Sequence, residues 1–288
     1  MNTKPFLLKS DLVLKSATIF SSPHSGRLYN EVFEGNANLK ALELRSSEDA
    51  YVDELFSDVS LHGSLLLSAI APRAFVDLNR SFDELDSQVI EGLNEAKQSN
   101  KVKSGLGVIP RVVARDKLIN SGKITIEQAS KRLNEYYFPY HKKLNSIVAE
   151  TKRKFGWVLL IDCHSMPNDS VKKLKKFNYT SPDIILGDCF GNSCSPEIFM
   201  EVKDLFEKHG FKVDQNYPFS GGFITQHYGK PNLNQHALQI EINRSLYMDE
   251  RAIVKNKYFD DFRKKISVIS TDLIKLGYEH QRGLLAAE

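Results

Sequence analysis

Short apolar runs closed by turn residues alternate along this chain with longer stretches of helical period. Residues 17–22 (ATIFSS) form one such run, ended by Pro23 and Gly26, and read as a buried strand followed by a loop. Residues 64–71 and 74–78 are two more, separated by Pro72. Residues 105–114 (GLGVIPRVVA) read as a loop plus strand. Thr125-Ile126-Glu127-Gln128 is a capping-box pattern, and its helix is expected to reach Tyr137. Pro139 restarts a second helix with His141, Leu144, Ile147 and Val148 on one side. Residues 157–161 (WVLLI) are apolar on both faces, as a central strand of a covered sheet should be. Residues 183–186 read as another short strand, 211–213 begin the next, and 236–242 form a further one. Ser195-Pro196-Glu197 is a helix start, and Gly210 closes that helix. Residues 249–276 read as one long amphipathic helix ended by Gly277. Strands alternating with helices predict an α/β fold with a mixed, largely parallel sheet. Residues 1–288 are expected to form one domain, with 81–103 as a mostly polar excursion.

Composition narrows the class. Hydrophobic residues make up 41% of 288 and charged residues 26%, enough for a full core. A net charge of +3 without a basic block argues against nucleic acid as a partner. Three cysteines (Cys163, Cys189, Cys194) give no paired framework and suggest a reducing compartment. Lys4, Lys9, Asp11 and Lys15 interrupt the first residues, so no signal peptide is expected. No run approaches the roughly 20 apolar residues of a membrane helix. The expectation is a cytoplasmic protein with no membrane partner.

Three strand ends carry the candidate chemistry: Ser22-Pro23-His24-Ser25-Gly26, Ile161-Asp162-Cys163-His164-Ser165 and Gln239-Ile240-Glu241-Ile242-Asn243-Arg244. Ligands of open α/β sheets bind at the carboxyl ends of strands. Two imidazoles and carboxylates from separate strands are what a hydrolytic zinc site needs, with one position left for water. Taken alone, His24 is a turn histidine and His164 a capped strand end; together they point to one site. Asp162 is placed to orient an imidazole. The acidic stretch 47–54 offers Glu48, Asp49, Asp53 and Glu54, of which at most one is expected to bind metal. Glu241 lies in an apolar run, where a carboxylate is costly unless paired or functional. It reads either as a salt bridge to Arg244 or another arginine, or as a general base near a metal-bound water, and the general base is preferred. Arg80 and Asn79 follow an apolar run and are candidates to face the same cleft, Arg80 as a carboxylate fork or as a structural ion pair. The glycine-flanked stretch 221–229, with Gly222 and Thr225, is a candidate substrate-covering loop. No helix is expected to follow it, so it is not a dinucleotide fingerprint. Cys163 points away from His164 and is not expected to be a nucleophile.

The segments PHSGRLY, SEDAYVDELF, PRAFVDLNR, SGLGVIPRVV, DCHSMP, GDCFGNSC, GGFITQHYG and QIEINRSLYMDE, in this order, resemble the N-formylglutamate amidohydrolase (deformylase) family. The resemblance spans residues 22–250. It implies a zinc-carboxypeptidase-like fold, a twisted mixed sheet with helices on both faces. It implies hydrolysis of the formamide of N-formyl-L-glutamate to formate and glutamate, a late step of histidine breakdown. The resemblance further implies one divalent metal, zinc first, on His24, His164 and an acid of the SEDAYVDELF stretch. Asp49 is chosen, with Glu48 and Asp53 behind it. Carboxypeptidases take their first ligand pair three residues apart, but Arg27 stands three after His24, so here that pair is not local. Glu241 is then the catalytic carboxylate, and an arginine steadies the oxyanion or grips a substrate carboxylate. Arg80 leads and Arg244 follows, with Arg111 and Arg73 behind them; Asn79, Thr225 and Gly222 complete the expected substrate contacts. The expected partner is a small anionic N-acyl amino acid. The alternatives are an amidohydrolase for another N-acyl amino acid or small peptide, and a binding protein on the same fold.

Overall fold

The computed structural model describes residues 4–10, 13–33, 37–94, 99–113, 117–172 and 181–286, the last six as helical backbone. Ala114 of the expected strand and residues 95–98 of the polar excursion lie outside the described residues. The chain divides into two compact units. The first comprises Met1–Leu7, Pro23–Ala50 and Ser68–Leu144; the second comprises Leu8–Ser22, Tyr51–Leu67 and Asn145–Glu288.

In chain order the strands are β1 (Phe6–Ser10), β2 (Thr18–Ser22), β3 (Leu65–Ala69), β4 (Val112–Val113), β5 (Lys117–Leu118), β6 (Val158–Met166), β7 (Ile184–Gly187), β8 (Val213–Gln215), β9 (Gln235–Asn243), β10 (Met248–Asp249) and β11 (Val254–Lys255). Seven make one sheet in the order β1-β3-β2-β6-β9-β7-β8. β2 and β6, β6 and β9, and β7 and β8 run parallel, whereas β7 runs antiparallel to β9. The sheet is therefore mixed and largely parallel, as the alternation of elements predicts. Every residue of β2, β6 and β7 is buried. This is the burial expected of central strands covered on both faces.

β6 is longer than the apolar run that marks it. Its ladder with β9 continues from Val158↔Gln235 to Met166↔Asn243, so Asp162 and His164 stand inside the strand rather than beyond it. β9 pairs with β6 along its whole length and β2 with residues 159–162, and a polar side chain on one face does not end a strand whose backbone is paired.

The α-helices are α1 (Tyr29–Phe33), α2 (Ala41–Leu44), α3 (Val52–Leu55), α4 (Asn100–Lys103), α5 (Ile126–Arg132), α6 (Phe138–Phe155), α7 (Asn168–Lys172), α8 (Pro196–Lys208), α9 (Phe223–Tyr228) and α10 (Phe259–Ala286). No helix among the described residues is long and apolar enough to cross a membrane. α5 has the expected capping box, with the Thr125 hydroxyl accepting from Gln128 N and the Gln128 side chain accepting from Thr125 N. One π-helical stretch, Leu133–Tyr137, carries it into α6. Pro139 lacks the N–H that would continue the regular ladder, and the chain widens there instead of breaking.

Three expectations need correction. Residues 74–78 are not a strand: the Pro72 carbonyl accepts from both Phe75 N (2.9 Å) and Val76 N (3.2 Å), which closes a turn. Its apolar side chains are still buried; Phe75 meets the Phe33 and Tyr136 rings edge-on and lies under the Arg132 guanidinium at 4.0 Å. The long C-terminal helix starts at Phe259, not at 249. Asp249 Oδ1 accepts from Arg251 N and Ala252 N, making a turn between β10 and β11. Gly277 does not end that helix either. Ser16 Oγ and Thr18 Oγ1 donate to the Ile274 and Leu273 carbonyls at 2.8 and 2.9 Å. A Cβ at position 277 would lie 2.3 Å from Ser16 Oγ. Glycine is needed for the approach of α10 to the start of β2, not for a helix stop.

Candidate metal centre

In the first unit the site is built around His24. The turn 23–26 lies flat against the backbone of residues 70–71, and a Cβ on Gly26 would fall 2.1 Å from the Ala71 carbonyl oxygen. Leu28 N donates to Ile70 O at 3.1 Å just beyond. This close approach fixes His24, which is 2% exposed. Asp49 N donates to the His24 carbonyl at 3.0 Å, so the acidic stretch is tied to the histidine through its backbone. The Asp49 carboxylate (Oδ2) then lies 3.4 Å from His24 Nδ1. Glu48 is occupied elsewhere: it accepts from Tyr29 Oη at 3.0 Å and from Arg45 Nε at 2.9 Å. Asp53 lies in α3 of the second unit, following Tyr51, whose φ is +66°.

The other face of the imidazole is held by Asp77, with Oδ1 2.7 Å from His24 Nε2. Asn79 N donates to the same oxygen at 2.8 Å, and Arg73 Nε donates to Oδ2 at 3.0 Å. Burial alone would raise the Asp77 pKa, but Arg73, His24 and Arg80 together hold it well below the usual carboxylate range. Arg80 is 8% exposed. It donates Nε to Leu106 O at 2.9 Å and Nη1 to Asn79 O at 2.8 Å, and Nη2 lies 3.9 Å from Asp77 Oδ2. Its fork is thus anchored on two carbonyls beside Asp77. Arg111 lies 3.5 Å from Asp86 and donates to Lys103 O.

In the second unit a separate group of candidate residues stands on two adjacent strands. Asp162 and His164 are two apart on β6 and so share a face; Asp162 Oδ2 lies 2.9 Å from His164 Nε2. On β9, Gln239 is in register with Asp162 and Glu241 with His164, which puts all four side chains on that face. Gln239 Nε2 donates to Glu241 Oε1 at 2.8 Å. Arg244, just past β9, donates Nε to Ser165 Oγ at 3.1 Å. Cys163 points to the opposite face and is fully buried; burial, with Asp162 next, pushes its thiol pKa well up. The stretch 221–229 contains a helix that sequence reasoning did not expect: Gly222 caps α9, and Thr225 Oγ1 donates to the Gly222 carbonyl at 2.9 Å. Apolar anchors explain it, because Ile224 and Tyr228 are buried one helical turn apart.

The donor chemistry fits a divalent metal. His24 and His164 each place Nε2 against a carboxylate. That is the carboxylate–histidine pairing of metal sites. Two ligands held tetrahedrally at about 2.1 Å from zinc are about 3.4 Å apart. The His24–Asp49 separation is 3.4 Å. His24, Asp49 and His164 are all buried, and each offers one ligand atom. Two residues of this arrangement escape sequence reasoning. Asp77 lies in a turn 53 positions from His24, so no spacing links them. Gln239 was legible in principle, as the i−2 neighbour of Glu241 on a strand.

Known proteins place the chain. The family model for N-formylglutamate amidohydrolase matches residues 16–248. An N-formylglutamate deformylase of Pseudomonas aeruginosa is 30% identical over 237 residues, covering 81% of this chain and 83% of that protein. One from Pseudomonas putida is 28% identical, with 89% and 90% covered. The crystal structure of N-formylglutamate amidohydrolase from Ralstonia eutropha superposes with a TM-score of 0.90 at 31% identity, covering 96% of this chain and 100% of that one. The chain belongs to the N-formylglutamate amidohydrolase family.

Proposed function

We propose that this protein hydrolyses the formamide bond of N-formyl-L-glutamate, using one divalent metal, zinc first, held by His24, Asp49 and His164. The observation that carries the metal is the 3.4 Å His24–Asp49 separation beside an imidazole whose other nitrogen is clamped by Asp77. Family membership and relatives named N-formylglutamate deformylase support the substrate. A bound divalent ion polarises the formyl carbonyl and brings the pKa of water toward ~7.

The chain's own groups do the rest. Asp77 and Asp162 hold the two rings in one tautomer and orientation. Glu241 takes a proton from the attacking water and returns it to the departing amine. Water adds to the formyl carbon, the C–N bond breaks, and formate and glutamate leave. Gln239 keeps one Glu241 oxygen engaged. Arg80 and Arg244 are anchors for substrate carboxylates, with Asn79, Gly222 and Thr225 as neighbouring contacts. The reaction belongs with histidine breakdown, as the family resemblance implies.

The direct test is formate release from N-formylglutamate by protein purified without chelator, with elemental analysis of the same sample. Turnover that disappears with a chelator and returns with added zinc is the expected result. A panel of N-formyl and N-acetyl amino acids separates this substrate from the alternative acyl groups. Metal-dependent turnover of an N-acetyl substrate with none of N-formylglutamate would overturn the substrate and keep the hydrolase.

A further inference from the structure

The segment that carries Asp77 has neither strand nor helix to satisfy its backbone. Residues 75–80 are turns and irregular chain, yet all six are buried. A buried carbonyl without a donor is costly, so partners must come from elsewhere. They come largely from one helical face. Arg132 Nη1 donates to the Phe75 carbonyl at 3.1 Å, His141 Nε2 to the Leu78 carbonyl at 2.9 Å and Tyr137 Oη to the Arg80 carbonyl at 2.8 Å. A carbonyl can only accept, so His141 carries its proton on Nε2. Tyr137 is 3% exposed, and its ring centroid lies 4.3 Å from that of His141.

The spacing of these donors depends on the π-helical stretch. Tyr137 stands five residues after Arg132, and His141 four after Tyr137. In a regular α-helix, residues five apart point about 140° away from each other. Here Leu133–Tyr137 is π-helical, and Phe138 N donates to the Leu133 carbonyl. Bonding from i to i+5 stacks residues five apart on one side, and such widened turns are frequent at functional sites. The π stretch thus aligns Arg132, Tyr137 and His141 along segment 75–80. Two of the three carbonyls adjoin groups of the site. Leu78 stands between Asp77, which holds His24, and Asn79, whose N–H donates to Asp77 Oδ1 at 2.8 Å. Arg80 bears the guanidinium fork itself.

We propose that Tyr137 and His141 are positioning residues: His141, through the Leu78 carbonyl, fixes Asp77 against the metal-binding His24, and Tyr137, through the Arg80 carbonyl, fixes the backbone from which the substrate-binding fork extends. This rests on the functional reading above and deepens it: it assigns the two duties of segment 75–80 to two separate donors on one helix face.

The experiment compares wild type with Tyr137→Phe, His141→Leu and His141→Gln, the last of which restores an N–H donor. Thr18→Val is the control, since it too removes a hydroxyl from a buried carbonyl, that of Leu273. Each protein is measured for Tm, for zinc affinity by competition with a chromogenic chelator, and for kcat and KM on N-formylglutamate. Calorimetry with glutarate, a dicarboxylate without a scissile bond, reads the Arg80 side without turnover. His141→Leu is expected to weaken zinc about three- to tenfold, as for loss of one hydrogen bond, with His141→Gln near wild type. Tyr137→Phe is expected to weaken KM and glutarate affinity by about the same factor, with kcat and zinc affinity near wild type. Thr18→Val should lower Tm and leave the other quantities unchanged. A fall in Tm with unchanged zinc affinity, KM and glutarate affinity in Tyr137→Phe and His141→Leu would overturn the proposal, as would equal shifts in Thr18→Val. If wild type does not hydrolyse N-formylglutamate while zinc affinity still follows the His141 donor, the substrate reading falls and the positioning role stands.

Discussion

His24 and His164 are both buried with Nε2 against an aspartate, yet the two clamps are made differently. His164 is clamped along a strand: Asp162 is two residues away, and the pleat alone puts both on one face. His24 is clamped across loops: Asp77 comes from a turn 53 residues later. The strand clamp follows from backbone geometry. The loop clamp depends on a Gly26 contact with Ala71, on the Pro72 turn, and on Arg73 and Arg80 around the aspartate. A second carboxylate, Asp49, reaches His24 Nδ1 by the same tertiary route. Where sheet periodicity supplies the partner of a buried histidine it needs few supports; where loops supply it, charge and close packing fix the position.

The largest expected effect removes the ligands themselves. His24→Ala and His164→Ala should each lose the metal, from close to one ion per chain to near none by elemental analysis. Full retention in both variants would break the idea that the two clamps serve one ion. Next comes Glu241→Gln, which should fold and keep its metal but lower kcat by roughly 10²-fold or more. Near-normal turnover would place the proton-transferring group elsewhere.

The same contrast explains what the sequence made legible. His24, His164 and Glu241 were readable because each sits at or near the end of an apolar run, and the run marks a strand whatever its neighbours do. The Asp162–His164 clamp was readable because it is local. The Asp77 clamp was not, because residues 74–78 have a strand's composition while Pro72 bends them into a turn. Gly277 misled for a related reason: a glycine that permits close packing looks the same in sequence as one that stops a helix. The helix in 223–228 was hidden between glycines, and tertiary burial of Ile224 and Tyr228 secures it.

Removing each clamp tests their equivalence. Asp162→Asn and Asp77→Asn should each weaken metal binding by about 10- to 100-fold, the usual effect of losing a carboxylate behind a ligating histidine. Competition against a chromogenic chelator measures it. Asp77→Asn should show the greater loss and also a lower Tm, because it leaves Arg73 and Arg80 without the charge they surround. Arg73→Met should fall between wild type and Asp77→Asn. Equal metal affinities and melting temperatures for Asp77→Asn and Asp162→Asn would show that the arginines add nothing to the loop clamp.

His236 sharpens the comparison as a buried histidine with neither clamp nor ligand role. It opens the apolar stretch of β9, 6% exposed, accepts Ser195 N on Nδ1 at 3.2 Å and meets the Trp157 ring edge-on. No carboxylate among the described residues lies within ion-pair distance of it. Burial, with His280 next, pushes its pKa down to about 4, and Glu197 opposes only weakly. The unfolded chain, with a histidine pKa near 6.5, binds the proton more readily. Stability from this residue is therefore fully present above pH ~6.5 and is lost as pH falls toward the folded value near 4. Between pH 7 and pH 5 the loss should be about 1–2 kcal/mol. His236→Asn should flatten that slope in urea denaturation, since its amide oxygen can still accept from Ser195 without titrating. Metal content should stay at the wild-type level, in contrast to either clamped histidine. An unchanged slope between wild type and His236→Asn would show that the imidazole is protonated in the folded protein at pH 5, and that burial without a carboxylate does not keep it neutral.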